Sequence, residues 1–290
     1  LYLQGEAHLD LGQLEESARA LEQSLSIDFA SPWVSNALVD LQEAYAGLGR
    51  PVTVEYFDGI IDRNPEDAIA IYNRGLTYSR LGQPERAVAD FGRSIALGFR
   101  SAEVYAARGN AFFATGTNDG QARVDLAVAI NFEPQNPLYH VYLGNFYRSR
   151  APEAAIMEFG QAIQLDPQLA LTYIYRGQHY LDVGEFQRAI QDFDRAIRLD
   201  PQSALAYNGR GYYYLAQDQP QRAVADFGDA IRLNPQLAEA YTGRGQAYND
   251  LGLHRQATTD LQHSIAITEN RPESPADRLE YAKALYLQGE

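Results

Sequence analysis

The stretch "YIYRGQHYLDVGEFQRAIQDFDRAIRLDP" (173–201) is followed by "YNGRGYYYLAQDQPQRAVADFGDAIRLNP" (207–235) and then by "YTGRGQAYNDLGLHRQATTDLQHSIAI" (241–267). The step is 34 residues, and each copy carries two amphipathic patterns of helical period. One glycine marks the register: Gly5, Gly75, Gly109, Gly144, Gly177, Gly211, Gly245 and Gly289, with Gln42 in its place in the weakest copy. No strand pattern competes. The chain therefore reads as all-α, about eight helix–turn–helix repeats stacked as one array.

Punctuation supports the period. Pro32, Pro65, Pro137, Pro167, Pro201, Pro235 and Pro275 fall where the first helix of a repeat is expected to begin. Pro51, Pro84, Pro152 and Pro220 fall where the second should begin, and a first turn tolerates the missing N–H. Gly12, Gly49, Gly82, Gly116, Gly184 and Gly252 close first helices, where a left-handed residue is wanted.

Three further positions recur. A tyrosine follows the marker by three (Tyr78, Tyr147, Tyr180, Tyr214, Tyr248), an alanine by twelve (Ala87, Ala189, Ala223, Ala257) and a phenylalanine by sixteen (Phe91, Phe193, Phe227). With the closing prolines, these positions resemble the tetratricopeptide repeat family across nearly the whole chain. The resemblance implies an α-α superhelix whose first helices line a concave groove, stabilised by stacking between repeats. The repeats are expected at 1–30, 31–64, 65–98, 99–133, 134–166, 167–200, 201–234 and 235–272, with a partial one at 273–290. The glycine is expected to let paired helices approach closely, with the alanine facing it.

Composition narrows the chemistry. The net charge is −14, which disfavours phosphate backbones, and no apolar run is long enough to span a membrane. There are no cysteines. "GRGYYY" and "GRGQAY" have two of the three glycines of a dinucleotide fingerprint, but they lie mid-helix with no strand before them. The five histidines show no metal-ligand spacing, and no nucleophile elbow or phosphate loop is present. No cofactor, no metal and no enzymatic reaction is expected. An arginine precedes the marker (Arg74, Arg108, Arg176, Arg210, Arg244), with an aspartate sixteen or seventeen residues further on (Asp90, Asp125, Asp192, Asp226, Asp260). That register predicts an ion pair between the two helices of a repeat.

The resemblance places Tyr72, Asn110, Asn145, Gln178, Asn208, Tyr212, Gln246, Asn249 and Tyr286 in the groove. Lys283 is the only lysine, so the lysine-bearing carboxylate clamp of chaperone-binding members is not expected. Amides could instead hold an extended peptide backbone and tyrosines pack its side chains.

The hexapeptide "LYLQGE" stands at both 1–6 and 285–290, and the marker runs 284 residues from Gly5 to Gly289. Overlaying the two copies completes one repeat. This suggests head-to-tail continuation as a filament or long tandem array, with Leu1, Tyr2, Leu3 and Gly5 meeting Leu279, Tyr281, Ala284, Leu285 and Gly289. The alternative is a finite scaffold binding a partner peptide. The expected partner is another copy or a peptide segment, not nucleic acid or membrane. A filament would favour the cell exterior, a peptide scaffold the cytoplasm.

Overall fold

At four places between one hairpin and the next, the chain turns on Asp-Pro or Asn-Pro. In the computed structural model, which describes residues 2–10, 12–27 and 54–268, the Ser203 amide donates to the Asp200 carbonyl (3.2 Å) across Pro201. The Asp200 side chain accepts from the Gln202 amide at 2.9 Å. Proline presets the backbone angle this corner needs. Pro65, Pro167 and Pro235 repeat the arrangement, so these prolines hold β-turns three residues before the helix instead of starting it. Pro84, Pro137, Pro152 and Pro220 do occupy first helical positions.

Fifteen helices and no strand form among the described residues. They are α1 (Tyr2–Asp10), α2 (Leu14–Ile27), α3 (Val54–Arg63), α4 (Ala68–Arg80), α5 (Pro84–Ala96), α6 (Ala102–Thr115), α7 (Asp119–Phe132), α8 (Pro137–Tyr147), α9 (Pro152–Leu165), α10 (Ala170–Asp182), α11 (Phe186–Leu199), α12 (Ala204–Ala216), α13 (Pro220–Leu233), α14 (Ala238–Asp250) and α15 (His254–Thr268). First helices close as expected. Gly184 has φ +76°, and the next amide, that of Glu185, returns to the Tyr180 carbonyl at 2.7 Å. Asp218 fills the same slot with φ +54°, a conformation aspartate tolerates better than most side chains.

The core of four hairpins is a phenylalanine on the second helix, and Leu21, Leu126 and Leu261 are fully buried at the equivalent position of α2, α7 and α15. Phe91, Phe159, Phe193 and Phe227 are fully buried, each one turn from an alanine that is also fully buried. The ring, not the alanine side chain, lies over the marker glycine: a Cβ at Gly211 would stand 2.7 Å from Phe227 Cε1. Phe227 is also covered from the next hairpin, because a Cβ at Gly243 would meet the same ring. Glycine is thus what lets two first helices close on one ring.

The chain falls into two compact units, Leu1–Ala111 and Phe112–Glu290. In the first, α1 packs on α2, α3 on α4 and α4 on α5. In the second, α8–α9, α10–α11, α12–α13 and α14–α15 are hairpins, and α8 touches α10, α10 touches α12 and α12 touches α14. No second helix touches another second helix among the described residues of this unit. First helices crowded together and second helices spread apart make the first helices the inner side of the stack.

Four of the five expected Arg–Asp pairs are described. Arg74, Arg176, Arg210 and Arg244 each bind Asp90, Asp192, Asp226 and Asp260, respectively, through Nε and Nη2, at 2.6–2.9 Å. The four aspartates are buried. Arg74 and Arg210 also reach back through Nη1 to Asp58 and Asp194 of the preceding second helix, at 2.7 and 2.8 Å. These hydrogen bonds, that to Asp226 first, hold the Arg210 guanidinium firmly charged against the cost of burial.

Candidate functional site on the inner face of the second unit

The inner face can be followed along one register line, the residue after each marker glycine. In the second unit that line is Asn145, Gln178, Tyr212 and Gln246, all of them partly exposed. Four expected groove residues therefore share one face. Tyr212 is already engaged: its ring stands edge-on to Phe227 at 5.0 Å and its hydroxyl donates to the Glu239 carbonyl at 2.9 Å.

Asn145 and Gln178 are brought together by a residue the sequence did not single out. Arg148, at the end of α8, donates from Nη1 to Asn145 Oδ1 (3.1 Å) and to Gln178 Oε1 (2.9 Å). Its Nε and Nη2 donate to Asp182 Oδ2 at 3.2 and 2.6 Å. Tyr142 and Tyr175 stand two residues before their markers, on the same two helices. Burial pushes both phenols up in pKa, and the Arg148 charge opposes this at Tyr175. In the following repeats Gly209 and Gly243 hold that slot. The paired tyrosines were thus a signal in the sequence, visible only once the slot is known to face a neighbouring first helix.

The remaining expected residues are placed less openly. Asn208 is 6 % exposed, and its Oδ1 is buried with no hydrogen-bond partner. Asn249 is partly buried: Oδ1 is 3.3 Å from His254 Nδ1 and Nδ2 has no partner. Tyr72 packs on Phe91 and Phe99 in the first unit, and Asn110 is partly exposed on α6. Tyr286 lies outside the described residues, as do Leu1, Leu279, Tyr281, Ala284, Leu285 and Gly289. Tyr2, Leu3 and Gly5 lie in α1, and Leu3 is 74 % exposed.

The α8–α9 hairpin departs from the arginine rule. Leu143 stands in the arginine slot, and His140 pairs instead with Glu158 at 2.8 Å across α8 and α9. Among the described residues no group of three His, Cys, Asp or Glu side chains could hold a metal, and no helix is long and apolar enough to cross a membrane.

An all-α stack of hairpins with a ring-on-glycine core and an amide-bearing inner face defines a helical-repeat scaffold. Models of the tetratricopeptide repeat match residues 1–31, 56–89 and 210–262, and a TPR repeat model matches 177–218, together more than half of the chain. The chain belongs to the tetratricopeptide repeat family. No curated protein matches it in sequence. Among solved structures, the APC/C hetero-tetramer Cut9–Hcn1 is similar at 18 % identity and a TM-score of 0.65, covering 94 % of this chain and 52 % of that one. A tetratricopeptide repeat protein from Parabacteroides merdae is similar at 13 % identity and TM-score 0.63, covering 97 % and 96 %. Yeast Tom70 is similar at 18 % and 0.62, covering 89 % and 61 %. The chain thus spans about half of the Cut9–Hcn1 chain it resembles. These likenesses carry the superhelical repeat fold, and the family is one of protein-interaction scaffolds.

Proposed function

We propose that this chain is a non-catalytic scaffold whose second unit holds an extended segment of another protein along its inner face. The observation that carries the reading is the register line of Asn145, Gln178, Tyr212 and Gln246 on touching first helices. Amides at three of the four steps, with Tyr212 between them, match a peptide backbone, which offers a hydrogen-bonding group at every residue. Selection from a displayed random-peptide library tests it. The wild-type chain should enrich a sequence family, and Gln178→Ala with Gln246→Ala should lose it at unchanged melting temperature. No enrichment by the wild type would defeat the reading.

Head-to-tail association of copies is the second reading, favoured by the exposure of Leu3. It predicts sedimentation coefficients that rise with protein concentration and fall back on Leu3→Glu; concentration-independent sedimentation removes it.

A further inference from the structure

A guanidinium has five N–H donors and no acceptor, so any amide that bonds to it must turn its oxygen inward. Arg148 Nη1 makes this bond to both Asn145 and Gln178. Their orientation is therefore dictated by chemistry: oxygen toward Arg148, NH2 away from it. No other hydrogen bond engages either NH2 group, and neither nitrogen is sealed in the interior. Nε and Nη2 of Arg148 are taken by Asp182, whose carboxylate cancels the charge. The α8–α10 step thus presents two fixed amide donors on an electrically balanced base, with Tyr142 and Tyr175 beside them.

We propose that Arg148 is a specificity-determining positioning residue: it locks Asn145 and Gln178 with their N–H donors outward, so that this step of the groove takes hydrogen-bond acceptors that carry no charge. The matching ligand is a run of backbone carbonyls in an extended peptide of neutral or basic side chains. A carboxylate ligand is disfavoured by the net charge of −14 and gains nothing from Arg148, whose charge Asp182 already balances. A free amide would rotate to suit donor or acceptor alike; the clamp removes that choice before binding and so avoids the ordering cost. This inference rests on the peptide-groove reading but can fail without it.

The experiment uses the full chain and pools of random octapeptides, acetylated and amidated at their ends and sorted into acidic, neutral and basic sets. The wild type should enrich neutral and basic peptides over acidic ones by about tenfold or more, because the net charge of −14 repels acidic side chains. Asn145→Asp with Gln178→Glu keeps the shapes but replaces each outward donor with an acceptor; it should weaken the selected peptides by about a hundredfold, tenfold per donor. Arg148→Met should lower their affinity about tenfold and collapse the distinct side-chain 1H–15N resonances of Asn145 and Gln178, a signature that loss of packing alone does not give. If the wild type enriches acidic peptides, or if selected neutral peptides bind equally after the double substitution or with the amide resonances unchanged in Arg148→Met, this inference is overturned while peptide binding stands. If no pool is enriched at all, both fall.

Discussion

Replacing Gly211 with alanine tests the packing logic of the whole stack. Two effects oppose each other. Alanine favours a helix interior over glycine by about 1 kcal/mol. Against that, the new methyl would stand 2.7, 2.9 and 2.9 Å from three atoms of the Phe227 ring. The ring cannot retreat, because Gly243 of the next hairpin already lies against its other side. Overpacking of this kind costs about 1–3 kcal/mol. Gly160 supplies the reference: it lies inside α9, and a Cβ there meets nothing within 4 Å. Gly160→Ala should therefore stabilise by about 1 kcal/mol, while Gly211→Ala should be neutral to destabilising by about 2 kcal/mol. The difference between the variants isolates the steric part, since propensity is common to both. Urea titration followed by circular dichroism measures it, and each kcal/mol should move the melting temperature by about 2–4 °C. Phe227→Leu in the Gly211→Ala background should recover part of the loss. If the two alanine variants are equally stable, the close approach of ring to helix is not what holds the hairpins together.

Arg210→Met strands the buried Asp226 carboxylate and should cost about 3–5 kcal/mol; Arg232→Met, which removes only an exposed pair with Asp229, should stay within about 0.5 kcal/mol in the same melts. Gly228→Asp should stabilise by about 0.5–1 kcal/mol, because the site is open, Arg244 Nη1 lies 3.9 Å from its Cβ position, and the register equivalent Asp194 already serves Arg210 this way; the gain should shrink in high salt. His179 is 2 % exposed with Nδ1 unpartnered, and burial lowers its pKa from the ordinary 6.5. The unfolded chain then binds more protons than the folded one below pH 6.5, so stability is complete above that pH and declines as pH falls through the window. His179→Phe, which copies Phe146 of the preceding repeat, should raise the urea midpoint and flatten this dependence.

How much of this was legible without coordinates differs by residue. Arg210 and Asp226 could be paired from spacing alone, since a contact between paired helices must recur at constant separation. The prolines were half legible. Pro84 and Pro201 look alike in a string, yet one starts a helix and the other turns a corner, because the side chain of Asp200, the residue before Pro201, accepts from the Gln202 amide and completes the turn. His140 and Glu158 escaped because the pair arises only where Leu143 has displaced the usual arginine.

The sequence by itself determined the repeat, its all-α character, the glycine stops of the first helices and the identity of the core ring, because these follow from short-range period and backbone chemistry. Tertiary structure alone decided which residues share the inner face in a usable state. Arg148 meets Gln178 across thirty residues of chain, Asn208 turns out buried where an open amide was expected, and Gly211 faces a ring pinned from two sides. Such facts depend on how one hairpin leans on the next, and no local preference encodes that angle.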